Sequence, residues 1–354
     1  GMSYPQLRID LKKLAENAGR LAGLMAEKGI RFHYVTKCFC AYEPMVRALA
    51  DAGFRDYADS RLENLEALGR YARSRLLVRI PMISEASAVV CLADISLNSE
   101  LETIRALSDA ALAQGRVHGV ILMVELGDLR EGVMPEDVQQ TVSEILELKG
   151  VRLRGVGVNF NCYGGVIPDR GKMECLIAVA EALQSRYGIE MEYVSGGNSG
   201  SLYLILNGDM PKGINHLRIG EGLLLGRETS FGDPIPNLHP DVFSLRCEVV
   251  ECRLKPSLPD GKQGLNAAGE RPYFEDRGTI RRAILAIGGQ DAAMTGLTPL
   301  MPGVDFLGNS SDHAIFDVTH AEREVRVGDT LDFAVNYKAL NGLFASRYVH
   351  KAPM

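Results

Sequence analysis

From residue 8 to about residue 220 the chain alternates short apolar runs with longer stretches whose apolar residues recur every three or four positions. The runs are FHYVT (32–36), RDYA (55–58), LLVRI (76–80), ADISL (93–97), HGVILMVEL (118–126), VRLRGVGV (151–158), EMEYVS (190–195) and INHLRIG (214–220). Short apolar runs bounded by polar turns read as buried strands. The three-to-four spacing over 43–52, 99–114, 136–149 and 172–187 predicts amphipathic helices between them. SLNSELETIRAL offers Asn98 or Ser99 as a helix cap, with Glu102 close behind. Eight strands alternating with helices predict a parallel TIM-type (β/α)8 barrel rather than an open doubly wound sheet.

After about residue 230 the pattern changes. GDPIPNLHPD is turn-forming, and FSLRCEVVEC, RRAILAIG, HAIFDV and EVRVGDTLDFAV alternate with period two between Gly, Pro and Asp turns. Residues 2–230 are therefore expected to form the barrel and 231–354 a mainly β C-terminal domain, with only a short helix near 339–346. The opening Gly1-Met2 looks like the scar of a cleaved tag.

Composition narrows the function classes. With 46% apolar and 24% charged residues the chain is of ordinary globular type. A net charge of −6, with no basic block, argues against nucleic acid. No run is long and apolar enough for a membrane span, and no signal peptide is apparent. Seven cysteines without regular spacing suggest reduced thiols and a cytoplasmic location. Cys38 and Cys40 lack a second His/Cys cluster near them in sequence, so no metal is expected.

Barrel enzymes carry their chemistry at the carboxyl ends of the strands. Lys37 ends the first run, Asp59 and Ser60 follow the second, Asn98 and Ser99 the fourth, Glu125 and Arg130 the fifth and Asn159 the sixth. Lys12, Lys13, Lys28, Lys149 and Lys172 fall in helix or turn patterns, whereas Lys37 ends an apolar strand. A lysine there is expected either to snorkel out to solvent or to be held dry because its amine reacts. After the seventh run comes SGGNSGS (195–201), and RIGEG (218–222) closes the eighth. Glycine turns leading into helices bind phosphate through backbone N–H groups and the helix dipole, although two ordinary turns would look the same. Neither matches a P-loop or a dinucleotide fingerprint. A dry lysine beside a phosphate cradle is what pyridoxal 5'-phosphate requires, since a lysine amine forms a Schiff base with its aldehyde.

The sequence resembles the alanine racemase-like group of pyridoxal phosphate enzymes, and within it the ornithine racemase branch, over essentially its whole length. The resemblance is carried in order by VTK (35–37), NSELETI (98–104), VELGDLREGV (124–133), GVNFNCYGGV (157–166), SGGNSGSL (195–202), LRIGEGLLLGRET (217–229), AIGGQD (286–291) and SSDH (310–313). It implies an α/β barrel with a β domain, amino-acid racemisation, and a homodimer with shared active sites. Lys37 then anchors the cofactor and acts as base on one face of the substrate carbon. Asn198, Ser199 and Gly200, with Ile219 and Gly220, fall where the family binds phosphate, and Tyr348 matches a phosphate-contacting tyrosine. Arg218 faces the pyridine nitrogen, Asn159 stands against the ring, and Arg130 lies near the phenolic oxygen and substrate carboxylate.

One departure matters. Where alanine racemases have a tyrosine as the opposite-face base, the comparable turn reads GGQDAAMTG (288–296) and has none. His313, whose unperturbed pKa suits proton transfer, is the candidate base. Asp312 stands beside it near the substrate carboxylate, and Asp291 is the candidate for a substrate's distal ammonium. Two alternatives stay open. One is a D-amino-acid aldolase or dehydratase of the same fold, which would need a metal-ligating His and Cys pair. The other is a non-catalytic pyridoxal phosphate carrier, which would not need the β domain.

Overall fold

The computed structural model describes residues 3–354, so the expected tag remnant at residues 1 and 2 lies outside the described residues. The chain forms two compact units. One is Lys12–Pro240, and the other is Asp241–Met354 together with the residues up to Leu11.

The first strand, β1 (Gln6–Ile9), belongs to the second unit. The first unit is a closed parallel barrel of β2 (Arg31–Val35), β3 (Asp56–Asp59), β4 (Ser74–Leu77), β5 (Ile95–Asn98), β6 (His118–Met123), β7 (Val151–Gly157), β8 (Tyr193–Ser195) and β9 (His216–Ile219). This is the expected TIM-type architecture, with all eight strands inside or beside the expected runs. The barrel closes by pairing β2 with β9, with Arg31 opposite His216 and Tyr34 opposite Ile219. Ladder closure places the end of the first barrel strand beside the end of the last. The strands approach closely at Gly155, where a Cβ would sit 2.0 Å from the Tyr193 carbonyl oxygen. Only glycine fits there.

Inside the barrel, Val35, Ala58, Leu76, Ile95, Ile121 and Met123 form an apolar cluster. Helices cover the outside, among them Glu43–Asp51, Leu101–Ala113 and Arg170–Tyr187. The last is capped by Asp169, whose side chain accepts from the Lys172 N–H, and ends on Gly188 with φ 64°. These are standard start and stop devices. The expected cap at Asn98 or Ser99 is not used. Asn98 is drawn fully into β5, where its amide donates to the Ser96 hydroxyl at 2.8 Å. The helix begins at Leu101, with no side-chain cap.

The second unit is antiparallel for the most part. Its strands are β10 (Phe243–Pro256), β11 (Thr279–Leu285), β12 (Leu297–Pro299), β13 (Asp305–Asn309), β14 (Ala314–Asp317), β15 (Thr330–Val335) and β16 (His350–Pro353). They run in the order β12-β15-β10-β11-β14-β13, and β1 pairs antiparallel with β10 and parallel with β16. The helix expected near 339–346 is present as Tyr337–Ala345, capped by Asn336.

Part of the barrel interior is polar. His33, His216 and His118 are buried, and desolvation is the first cause lowering each pKa, to about 4 for His33 and His118 and well below the ordinary value for His216. These imidazoles are neutral when folded and free to protonate when unfolded. Above the ordinary histidine pKa both states are neutral and pH has no effect. Below it the unfolded chain binds protons that the fold refuses. Stability is expected to fall as pH drops from about 6.5 towards about 4. Urea midpoints measured across that window check this, and a flat profile would show that the histidines are not buried as neutral groups.

Candidate active site

Strand β2 ends at Val35, and Thr36 turns the chain over the end of β3. The Thr36 hydroxyl donates to the Asp59 carboxylate at 2.7 Å, and the Thr36 N–H donates to the Ala58 carbonyl at 2.8 Å. Asp59 also accepts from the Arg61 N–H and the Asn64 amide, and its burial raises its pKa against those bonds. Lys37 follows in a tight turn in which Cys40 donates its N–H to the Lys37 carbonyl and has φ 51°. The buried position at this strand end is Thr36. Lys37 itself is exposed, which corrects the expectation of a dry lysine: it is the first side chain beyond the anchored threonine.

Beside it, β9 carries Arg218, 4% exposed. Its guanidinium donates to the Ser195 hydroxyl at 2.7 Å, to the Val158 carbonyl at 2.9 Å and to Asn159 Oδ1 at 2.9 Å. Burial lowers its pKa to about 10, so it stays cationic at neutral pH. A guanidinium has five N–H donors. Three are used, and the other two have no acceptor among the described residues.

Asn159 links this arginine to a second one. Its amide donates to the Glu131 carboxylate, which also accepts from Arg130 through Nε and, at 2.9 Å, through Nη2. Glu131 is nearly buried, with its side chain 4% exposed against 43% for Arg130. Burial raises its pKa, but the Arg130 hydrogen bond and charge, with Asn159, outweigh that and hold it below the ordinary value.

The two glycine turns meet. Ser199 Oγ accepts from the Gly222 N–H at 2.9 Å, so the segments after β8 and β9 form one surface. Asn198 caps the first turn, accepting from the Gly200 N–H at 2.8 Å and donating to the Phe160 carbonyl. A Cβ at Gly200 would fall 2.2 Å from Asn161 Nδ2, and one at Gly220 would touch Val35 of β2. The helices that follow, Leu202–Leu206 and Glu221–Leu225, have five residues each. The expected dipole contribution is therefore small, because a short helix aligns few peptide units. Local N–H and hydroxyl groups are what this surface offers an anion.

The structure thus brings Lys37, Arg218, Asn159, Arg130, Asn198, Ser199, Gly200, Ile219 and Gly220 to the carboxyl ends of the barrel strands. The remaining expected residues lie in the second unit. His313 and Asp312 are exposed in the turn between β13 and β14. That turn is held to the GGQD loop, because Gly289 and Gln290 donate their N–H groups to the Ser310 and Ser311 carbonyls, both at 2.9 Å. Asp291 is buried, its carboxylate accepting from Ser346 Oγ at 2.9 Å, and Tyr348 is exposed. Glu131, Ser195, His33 and His216 were not singled out from the sequence. Their signals were present as an Arg-Glu doublet after a strand and a histidine inside each of two apolar runs.

The residues fit pyridoxal phosphate in two respects. A buried cation at the strand ends has two donors unspent, and the first glycine turn is too crowded for a side chain at Gly200, so backbone is what it presents. The arrangement defines an α/β-barrel enzyme built around a phosphate-bearing group. Residues 9–228 match the family model described as alanine racemase, N-terminal domain. The chain is 44% identical over 349 residues to an ornithine racemase from Acetoanaerobium sticklandii, covering 98% of this chain and 99% of that protein. It is 38% identical over 352 residues to a lysine racemase from Thermotoga maritima, covering 99% and 98%. The structure of alanine racemase from Bartonella henselae with covalently bound pyridoxal phosphate matches over 100% of both chains, with a TM-score of 0.75 at 17% identity. This chain belongs to the alanine racemase family.

The Arg130–Glu131 pair should be asymmetric. Removing Arg130 (Arg130→Met) leaves a buried carboxylate with Asn159 alone, at a cost of about 2 kcal/mol. Glu131→Gln leaves an arginine that solvent can reach, at a cost of about 1 kcal/mol or less. Denaturant melts of both variants check the order, and a larger loss for Glu131→Gln would contradict the burial difference.

Proposed function

We propose that this chain is a pyridoxal phosphate-dependent racemase that interconverts L- and D-ornithine or a closely related basic amino acid. The observation that carries the reading is the full-length match to an ornithine racemase, with a lysine racemase at nearly the same coverage. When bound, the cofactor supplies an electron-withdrawing ring that makes the substrate's α-proton acidic. The chain's residues do the rest. Lys37 anchors the cofactor covalently and exchanges the α-proton on one face, and its reach beyond the strand end suits both tasks. Arg218 would donate one of its unspent N–H groups to the pyridine nitrogen, and its permanent charge would keep that nitrogen unprotonated. Ser199, Gly200, Ile219 and Gly220, shaped by Asn198, would hold the phosphate, and Tyr348 of the second unit is the further candidate for it. Asn159 would stand against the ring, and Arg130 would receive the substrate carboxylate.

The same reading assigns the proton on the opposite face to His313, an exposed group of suitable chemistry. Asp312 lies next to it, and Asp291 is the candidate for the distal ammonium. The enzyme acts in the cytoplasm as a homodimer. No helix among the described residues is long and apolar enough to cross a membrane.

Purified enzyme incubated with single L- and D-amino acids, followed by chiral chromatography, is expected to racemise ornithine or lysine fastest. No interconversion of any basic amino acid by the cofactor-loaded enzyme would refute the substrate class. Lys37→Ala should reduce racemisation by at least about three orders of magnitude. His313→Gln should still exchange the α-hydrogen of one enantiomer with deuterated water while losing racemisation. Light scattering should give twice the chain mass, and a fully active monomer would end the dimer proposal.

A further inference from the structure

The barrel interior carries a line of hydrogen bonds running from Arg218 towards the opposite end of the barrel. Arg218 donates to Ser195 Oγ at 2.7 Å, and Ser195 Oγ lies 2.8 Å from His216 Nδ1. His216 Nε2 lies 2.8 Å from His33 Nδ1, and His33 Nε2 lies 2.9 Å from Ser74 Oγ. Ser74 and both histidines border a cavity of about 830 Å3 at the amino ends of the strands. Barrel interiors are usually filled by branched apolar side chains, and a polar line within one is costly unless every member is paired.

Proton counting fixes the direction of this line. Arg218 can only donate, so Ser195 must accept from it. Ser195 is fully buried and has one proton of its own, for which His216 Nδ1 is the partner at hand. If His216 Nδ1 accepts, its Nε2 carries the hydrogen in the neutral ring and donates to His33 Nδ1. His33 then donates from Nε2 to Ser74. Run in reverse, the line would leave the Ser195 hydroxyl hydrogen unpaired in the interior, a penalty of about 1–3 kcal/mol. Burial keeps both rings neutral, which the one-way arrangement requires. Every dipole in the line then points its negative end at Arg218.

We propose that His216 and His33 form a neutral relay, each with its hydrogen on Nε2, that fixes Ser195 as an acceptor and so holds the Arg218 guanidinium charged and correctly turned. Both are positioning residues for the amino-acid racemase reaction. The inference rests on the reading of Arg218 as the residue facing the cofactor ring, while the tautomers themselves do not depend on it.

Nitrogen-15 NMR of the holoenzyme labelled at histidine reads both tautomers directly, with His216 and His33 assigned by substitution. Both are expected neutral and protonated on Nε2. A Nδ1-protonated or cationic His216 would overturn the relay. The second arm compares His216→Asn, whose side-chain oxygen can take the place of Nδ1, with His216→Leu, which offers no acceptor. His216→Leu is expected to shift the bound cofactor's visible spectrum and lower kcat on the order of tenfold with little change in KM, and His216→Asn to restore most of both. Equal spectra and kcat in the two folded variants would overturn the proposal. Arg218→Lys separates the two readings. An unchanged spectrum there refutes Arg218 as the ring partner and leaves the tautomers to decide the relay. A changed spectrum with a wild-type His216→Leu refutes the relay.

Discussion

A guanidinium inside a parallel barrel has to be hydrogen-bonded on every side that water cannot reach, and much of this site follows from that requirement. Arg218 takes its acceptors from the ends of two neighbouring strands, Val158 and Asn159 after β7 and Ser195 on β8. Each acceptor is in turn constrained. Asn159 is turned by Glu131, which is held by Arg130, and Ser195 is turned by His216. The result is a continuous polar strip through an interior that also holds an apolar cluster. Breaking one link leaves another buried group unpaired, so the strip acts as a unit rather than as separate contacts.

Lys37, the proposed cofactor anchor, is handled by a different kind of constraint. Its position is fixed by backbone and by Thr36, whose hydroxyl is pinned to Asp59, while the Lys37 side chain is left exposed. A fixed backbone with an exposed amine suits the proposed roles of anchor and proton carrier. The proposed phosphate cradle is held in a comparable way, with Asn198 bonding within the first turn and Ser199 joining it to the second. Side chains build the frame there, and the backbone presents the surface.

Family membership and local chemistry lead to the same class of reaction by separate routes. The full-length likeness to ornithine and lysine racemases bears on the substrate, which the barrel residues alone do not specify. The barrel residues bear on how the cofactor is held and tuned. Where the family's tyrosine is missing, the turn that replaces it is hydrogen-bonded to a second turn, the one that carries Asp312 and the candidate base His313.

The sequence by itself determined the barrel. Eight apolar runs at helical separation allow little else, because each run must bury both faces and each helix one. It also determined Lys37 as a candidate, since a cation at the end of an apolar strand is anomalous in any fold, and it marked the glycine turns, while Arg218 was reached through the resemblance to the family. Tertiary structure alone decided which strand ends are neighbours, through the closure of β9 on β2, and that Thr36 rather than Lys37 is the buried residue there. It decided that β1 joins a sheet whose other strands lie more than two hundred residues away, a pairing that no local pattern encodes. And it decided the partners of Glu131, His33 and His216. Their residue types were legible, but a buried polar group takes its meaning from what lies across the barrel, and contacts between distant segments leave no periodic trace in the chain.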